Sequence, residues 1–415
     1  MNVHLKKLTY KVYIVSAVIL MAIVFGIWVL TNSFLSIKVS PRDASVFIDG
    51  EQIEVNSFGF AKERLSFGEH QIKIELDGYV SMIKSVILKR GRTNSQNITL
   101  KTLPATVKIA NFGSFLTKGV NSDEFFYLGN DGGAIFRTKI QLNDSGIVIP
   151  TSNAITNSNL WGINEIIWSP KKDLALFRKS DGVYLFDFKK YDFVNQTETL
   201  WGENVGSIAW APDDSKIAYY ASDEKTLIFS NADNSSKERI LNLENIDITN
   251  PVLRWSPDSE WLAIIPRNSN KNDNKIYLLN AYSRVIKPVI NTGNKLDVTF
   301  SQNNKIFYSS LSRGTQGSST ISTINTDGTE DSALNLYTNI NCILMLDQGD
   351  NILAASQDGE SQEESIFKFN IKNNKQEDFS IKLSENESVN TLLTTVDDKV
   401  VIYETESGIY AVNIN

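Results

Sequence analysis

Trp168-Ser169-Pro170 returns as Trp210-Ala211-Pro212 and again as Trp255-Ser256-Pro257, at spacings of 42 and 45 residues. Each phrase closes an apolar-alternating run and opens a polar turn: Lys171-Lys172-Asp173, Asp213-Asp214-Ser215, Asp258-Ser259-Glu260. A second apolar run then starts at Leu174, Ile217 and Leu262. Proline presets φ for a tight turn, and Asp or Ser side chains bond back to the backbone, so the unit reads strand, turn, strand. A repeat of roughly 40 to 50 residues cannot bury its own apolar face and is stable only within an array. This period predicts an all-β fold, a β-propeller.

Weaker copies continue the register at Phe300–Ile306, Leu346–Ile352 and Thr395–Val400, and a degenerate one lies near Val120–Phe125. These make seven repeats, or six if the first copy is not a true one. A third strand of the unit is visible in Gly182–Asp187, Lys275–Asn280 and Gly408–Asn413, runs dominated by apolar and aromatic β-formers. The last repeat stops after its third strand. Ala105-Thr106-Val107-Lys108-Ile109 precedes the first repeat and belongs to no other, so it is the candidate fourth strand that closes the ring and removes exposed edges. Residues 105–415 shared among seven repeats give about 44 each, the size of a four-stranded blade. The Trp-Ser-Pro-Asp pattern resembles the repeats of TolB-type bacterial β-propellers. The resemblance spans 105–415, strongest in three repeats, although TolB itself has six blades.

The N-terminus reads as an address. From Val12 to Leu30 no residue is charged, and the apolar character runs on to Ile37, broken only by Thr31, Asn32 and Ser33. About 20 such residues span a bilayer core, and the run exceeds a signal-peptide apolar segment and has no small-residue cleavage site after it. Residues 12–34 are therefore expected to be one retained transmembrane helix, with the lipid bilayer as a partner. Lys6, Lys7 and Lys11 precede it with no acidic residue, which keeps the tail 1–11 cytoplasmic and places the rest outside. The expected location is the cytoplasmic (inner) membrane of a bacterium, crossed once.

Residues 36–101 carry a second, smaller β pattern. Ser36–Pro41 and Ala44–Ile48 alternate, Asp49-Gly50 supplies a turn pair suited to positive φ, and Gly68-Glu69-His70 leads into the period-two run Gln71–Leu76. Asp77-Gly78-Tyr79 makes the next turn, and Ile83–Leu88 and Asn97–Leu100 close the unit. This order resembles the PEGA domain: the name motif is matched in part as Pro41-Arg42-Asp43-Ala44, and Asp49-Gly50, Gly68-x-His70 and Gly78-Tyr79 follow in sequence. The resemblance implies a small sandwich-like β domain on an exported, surface-associated bacterial protein, acting as a spacer or adhesion module.

Chemistry is limited by composition. The two histidines are His4 and His70, so the propeller sequence has none for a Ser-His-Asp or Cys-His site or for an ordinary zinc site. No Gly-x-Ser-x-Gly elbow or phosphate loop occurs, and no cofactor or metal is expected. The chain carries −7, with no basic cluster in its sequence to suit nucleic acid. The single cysteine, Cys342, sits in the apolar run Ile340–Leu344 and reads as a buried structural thiol. Paired carboxylates of a carbohydrate-active enzyme remain open, since 48 acidic residues neither nominate nor exclude a pair.

The expected function is therefore non-catalytic: an extracytoplasmic binding or scaffold protein whose propeller offers a face to an envelope protein or peptide. The alternative is binding of cell-wall or surface glycan. Leu160-Trp161-Gly162-Ile163-Asn164 and Leu200-Trp201-Gly202-Glu203-Asn204 repeat at 40 residues and fall between one blade's outer strand and the next blade's inner strand, at the mouth of the channel. An aromatic with a polar companion suits stacking on a sugar or anchoring a peptide. Trp161, Asn164, Trp201 and Asn204 are thus candidate contacts, with Arg267 and Arg313 on loops reaching the same face. Glycan binding predicts both tryptophans exposed and would lose its main support if both were buried; packing of the outer strand would bury them.

Overall fold

A computed structural model of the chain describes residues 18–21, 33–76, 79, 81–100, 105–129, 133–143, 147–157, 160–191, 198–267, 275–311, 319–346, 350–357, 364–384 and 387–414. The expected span 12–34 lies largely outside these; residues 18–21 are helical, and strand begins at Ser33. No helix among the described residues is long and apolar enough to cross a membrane. Asp77 and Gly78 of the third turn also lie outside them. The chain divides into two compact units, Met1–Leu103 and Pro104–Asn415.

The first unit is built from β1 (Ser33–Ser40), β2 (Ser45–Ile48), β3 (Glu51–Ile53), β4 (Phe60–Leu65), β5 (Gly68–Glu75), β6 (Met82–Leu88) and β7 (Thr93–Thr99). They form two sheets, ordered β4-β1-β7 and β3-β2-β5-β6. The period-two pattern on β1 and β5 puts Leu35, Ile37, Val39, Ile72 and Ile74 into one buried core shared by both sheets. β1 starts three residues before the alternation noted at Ser36, because Ser33 and Phe34 already pair with Leu65 and Arg64 of β4. The turn at Asp49-Gly50 has φ of 51° and 89°.

Among the described residues, the second unit forms seven four-stranded antiparallel sheets. In chain order they are β9–β12 (Ser114–Lys118, Glu124–Leu128, Ile135–Leu142, Val148–Ala154), β13–β16 (Glu165–Trp168, Leu174–Lys179, Gly182–Asp187, Glu198–Gly202) and β17–β20 (Val205–Trp210, Ile217–Ala221, Thr226–Ser230, Glu238–Asn242). Then come β21–β24 (Val252–Trp255, Trp261–Ile265, Ile276–Asn280, Ile286–Ile290), β25–β28 (Asp297–Phe300, Ile306–Leu311, Ser319–Ile324, Ser332–Tyr337) and β29–β32 (Ile343–Met345, Asn351–Gln357, Glu364–Asn370, Lys375–Lys382). The seventh consists of β33 (Thr391–Thr395), β34 (Val400–Thr405), β35 (Gly408–Asn413) and β8 (Thr106–Ala110). The degenerate first copy is a full sheet, so the count is seven and not six. The strand expected at 105–109 is β8, antiparallel to β35 with Val107 opposite Ala411.

Among the described residues, apolar clusters form at each junction between successive sheets, including the last with the first, where Leu393, Val400 and Ile409 pack with Phe125 and Ile140. Both faces of each middle strand are therefore covered. This is why β10 (Glu-Phe-Phe-Tyr-Leu) and β18 (Ile-Ala-Tyr-Tyr-Ala) are buried at every position and do not alternate with polar residues. Cys342 is a free, buried thiol; burial pushes its pKa up to about 12, and its Sγ–H donates to the Val389 carbonyl at 3.1 Å.

Candidate functional site

Successive strands of each blade run in opposite directions, so outer-to-inner connections share one end of the propeller with the turns between second and third strands. The Trp-Ser-Pro turns lie at the other end. On the first face, Arg267, Lys295, Asp297, Asn339, Ile340 and Asn341 line a cleft of about 460 Å³ across the fourth, fifth and sixth blades. Arg267 follows β22; Lys295 precedes β25, which Asp297 opens; Asn339 caps the short 3-10 turn Ile340–Cys342 ahead of β29.

Asp297 organises the cleft. Its Oδ2 accepts from Arg267 at 3.0 Å, and its Oδ1 accepts from Val298 N–H at 2.8 Å and from Arg254 Nε at 3.4 Å. Arg267 also donates to the Leu296 carbonyl at 2.7 Å, and Arg254 to Asn341 Oδ1 at 3.4 Å. One carboxylate thus holds two guanidiniums from different elements, leaving each with further N–H donors directed by a planar fork. Lys295, at φ 47°, adds a third cation. Three cations against one carboxylate, with the amides of Asn339 and Asn341 beside them, suit an acceptor-rich ligand such as a carboxylate or an exposed peptide backbone.

The sequence candidates separate here. Arg267 lines the cleft. Trp161 is 63% exposed, on the connection between β12 and β13, beside Gly162 at φ 74°. Trp201 does not lie in a connection: it belongs to β16 and is buried, its Nε1–H donating to the Ala232 carbonyl at 2.8 Å and its ring meeting Tyr219 edge-on at 5.1 Å. Outer-strand packing claims it. Asn164 and Asn204 make backbone bonds at the starts of inner strands: Asn164 N–H donates to the Arg178 carbonyl, and the Asn204 carbonyl, at φ 51°, accepts from Ser222 N–H. Arg313 lies outside the described residues. Arg254, Lys295, Asp297, Asn339 and Asn341 were not singled out from sequence, since single polar residues scattered over some 90 positions make no motif.

Two buried carboxyls occupy the same end of the sixth and seventh blades. Burial pushes both Glu364 and Glu404 above the usual carboxylate range; Glu364 Oε2 accepts from Val389 N–H at 3.2 Å. Among the described residues no three His, Cys, Asp or Glu side chains group as metal ligands.

Residues 33–104 match the PEGA domain family. No curated protein matches the chain. Solved structures share its fold: an oligogalacturonate lyase in complex with manganese (15% identity, 76% of this chain and 92% of that one, TM-score 0.50) and the oligogalacturonate lyase of Vibrio parahaemolyticus (14%, 75% and 91%, TM-score 0.51). A structure described as TolB of Agrobacterium tumefaciens matches at 14% identity over 56% of this chain and 85% of that one, with a TM-score of 0.40.

Proposed function

We propose that this protein is a non-catalytic binding platform of a bacterial envelope, held to the cytoplasmic membrane by the apolar segment that starts at Val12 and ends before β1, with its N-terminus inside, and that its propeller presents the cleft between the fourth and sixth blades to a protein or peptide partner. The observation that carries the reading is Arg267 and Asp297 lining an open cleft, with Arg254 braced on the same carboxylate. Prebraced donors lose little freedom on meeting a carboxylate or a backbone carbonyl, which favours recognition. The likeness to oligogalacturonate lyases is one of fold, and fold alone assigns no activity. The propeller sequence has no histidine, so lyase-type chemistry would have to rest on other groups.

Exposed Trp161 supports the second reading, a cell-wall or surface glycan stacked on its ring. The two readings part in one experiment. Full-length protein in detergent is used to capture partners from envelope extract, and the unsubstituted chain is compared with the double variant Arg267→Ala/Lys295→Ala and with Trp161→Ala. A protein partner seated in the cleft should be lost tenfold or more with the double variant, roughly the effect of removing two charge-assisted bonds, and be retained by Trp161→Ala. Saccharide recovered by the unsubstituted chain and lost only with Trp161→Ala would overturn the protein reading.

A further inference from the structure

The PEGA unit gathers basic and aromatic side chains at the one end from which the chain runs back to the apolar segment. Three stretches meet there: Ser33 at the start of β1, the turn Leu65-Ser66-Phe67-Gly68 between β4 and β5, and the turn Lys89-Arg90-Gly91-Arg92 between β6 and β7. They are tied together. Ser33 Oγ donates to the Lys89 carbonyl at 2.8 Å, Phe34 N–H donates to the Arg92 carbonyl at 3.1 Å, and the Arg90 guanidinium lies 4.0 Å from the Phe67 ring centre. Lys62 and Arg64 extend the group along β4, Lys62 lying 5.2 Å from the Phe34 ring centre.

All five of these cations are exposed, as are Phe67 and Ile87. The carboxylates at this end are fewer, four against five: Glu63 and Glu69 on the same strands, and Asp49 and Glu51 at the β2–β3 turn, which His70 ties to Ser66. Residues 33–104 contain ten Lys or Arg against eight Asp or Glu, in a chain whose overall charge is −7. The basic character is concentrated where the fold brings residues 62–64 beside the short run Lys89-Arg90-Gly91-Arg92, and only that run is visible in the sequence.

We propose that this end of the PEGA unit docks on the bilayer surface and binds anionic lipid headgroups. The inference rests on the anchor reading above, from which the distance follows. The apolar run is first broken at Thr31, so that its last residue before the break, Leu30, lies three residues before Ser33, and three residues extend at most about 11 Å. The end is therefore tethered at a separation close to the Debye length of about 8 Å at physiological salt. At an anionic bilayer surface, cations so held gain about fivefold in association for each Lys or Arg, and exposed Phe67 and Ile87 beside them suit the headgroup–acyl boundary.

The test uses the full chain in vesicles of phosphatidylcholine alone or of phosphatidylcholine with phosphatidylglycerol. A nitroxide on Ser66→Cys reports collisions with an aqueous nickel chelate; buried Cys342 stays unlabelled. Docking predicts several-fold fewer collisions in the phosphatidylglycerol vesicles than in the neutral ones, with the difference abolished by molar salt and by Lys89→Glu/Arg90→Glu/Arg92→Glu. Equal exposure of the label in both bilayers would overturn the proposal with no need of a variant. Equal shielding in both would assign this end to a protein contact and overturn it as well. Release of the protein from the vesicles by alkaline carbonate would overturn the anchor, and the docking with it; retention with a lipid-insensitive label would overturn the docking alone.

Discussion

His70 Nδ1 lies 2.6 Å from Asp49 Oδ2, and its Nε2 lies 3.1 Å from the Ser66 carbonyl oxygen, so this one ring joins two turns of the PEGA unit. The hydrogen bond to Asp49 raises the imidazole pKa above the ordinary 6.5, while the same bond, together with Gln71 N–H, lowers that of Asp49 below 3.8. A raised histidine contributes stability that is full below its unfolded value and is lost as pH rises through the folded one. A lowered carboxylate contributes above its unfolded value and loses that contribution as pH falls through the folded one. The pair should therefore stabilise most between about pH 4 and 6.5 and fade above neutrality, by less than about 1 kcal/mol because water screens it. Thermal midpoints of the unsubstituted chain and His70→Gln should differ at pH 5.5 and converge by pH 8.5; a difference independent of pH would refute the charged pair. At the same scale, one phrase has two fates. Leu160-Trp161-Gly162 and Leu200-Trp201-Gly202 match letter for letter, yet Trp161 faces water and Trp201 is 5% exposed. Local sequence sets an aromatic beside a glycine; whether the neighbouring blade reaches that ring is settled elsewhere.

The Trp-Ser-Pro turn explains its own recurrence at the scale of the element. Lys172, Asp214, Ser259 and Asn304 occupy the same left-handed position, with φ between 58° and 64°, and each N–H returns to the residue three earlier at 2.9 to 3.0 Å. The turns also join neighbouring blades. Ser259 Oγ accepts from Asp213 N–H at 3.0 Å, Asn304 Nδ2 donates to Asp258 at 2.5 Å, and Trp255 Nε1–H donates to the Ala209 carbonyl at 3.1 Å, each across 46 residues. Polar residues are required here by the neighbouring turn as well as by the turn itself. Ser259→Val removes the acceptor of the part-buried Asp213 N–H bond and sets a β-branched residue at positive φ in a buried position, and should cost about 2 to 4 kcal/mol. Ser259→Gly relieves the backbone and loses only the bond, about 1 kcal/mol. Denaturant midpoints that fall equally for the two would show that backbone strain contributes nothing.

At the scale of the whole molecule, the seventh blade is assembled from both ends of the propeller sequence, with β8 completing β33-β34-β35. Without β8, β35 would present a bare edge and the apolar cluster between the last and first blades would lose its partly buried cover, Val107 and Ile109. Gly408 makes the closure possible: at φ 150°, a Cβ there would fall on the carbonyl oxygen of Ala110. Gly408→Ala should therefore separate β8 from β35, lowering stability by about 2 kcal/mol or more and exposing an edge that promotes self-association. Hydrogen exchange should show β35 and β8 losing protection together; loss confined to the Gly408 turn would mean that closure tolerates the methyl group.

Most of the architecture was legible in the sequence, because a repeat of about 44 residues with a fixed turn leaves few ways to bury alternating apolar faces. The same holds for β8, an apolar strand without a repeat of its own, and for the PEGA landmarks, where glycines and an Asp mark turns that need positive φ. Tertiary structure alone decided which aromatic is covered, since burial of Trp201 depends on the Ala232 carbonyl 31 residues away. It also decided the cleft, where Arg254, Arg267 and Asp297 converge from separate strands and loops, and the basic end of the PEGA unit, where Phe67 meets Arg90. Pattern along a chain specifies which face of an element is apolar; the meeting of polar groups far apart in sequence depends on how the elements are set beside one another.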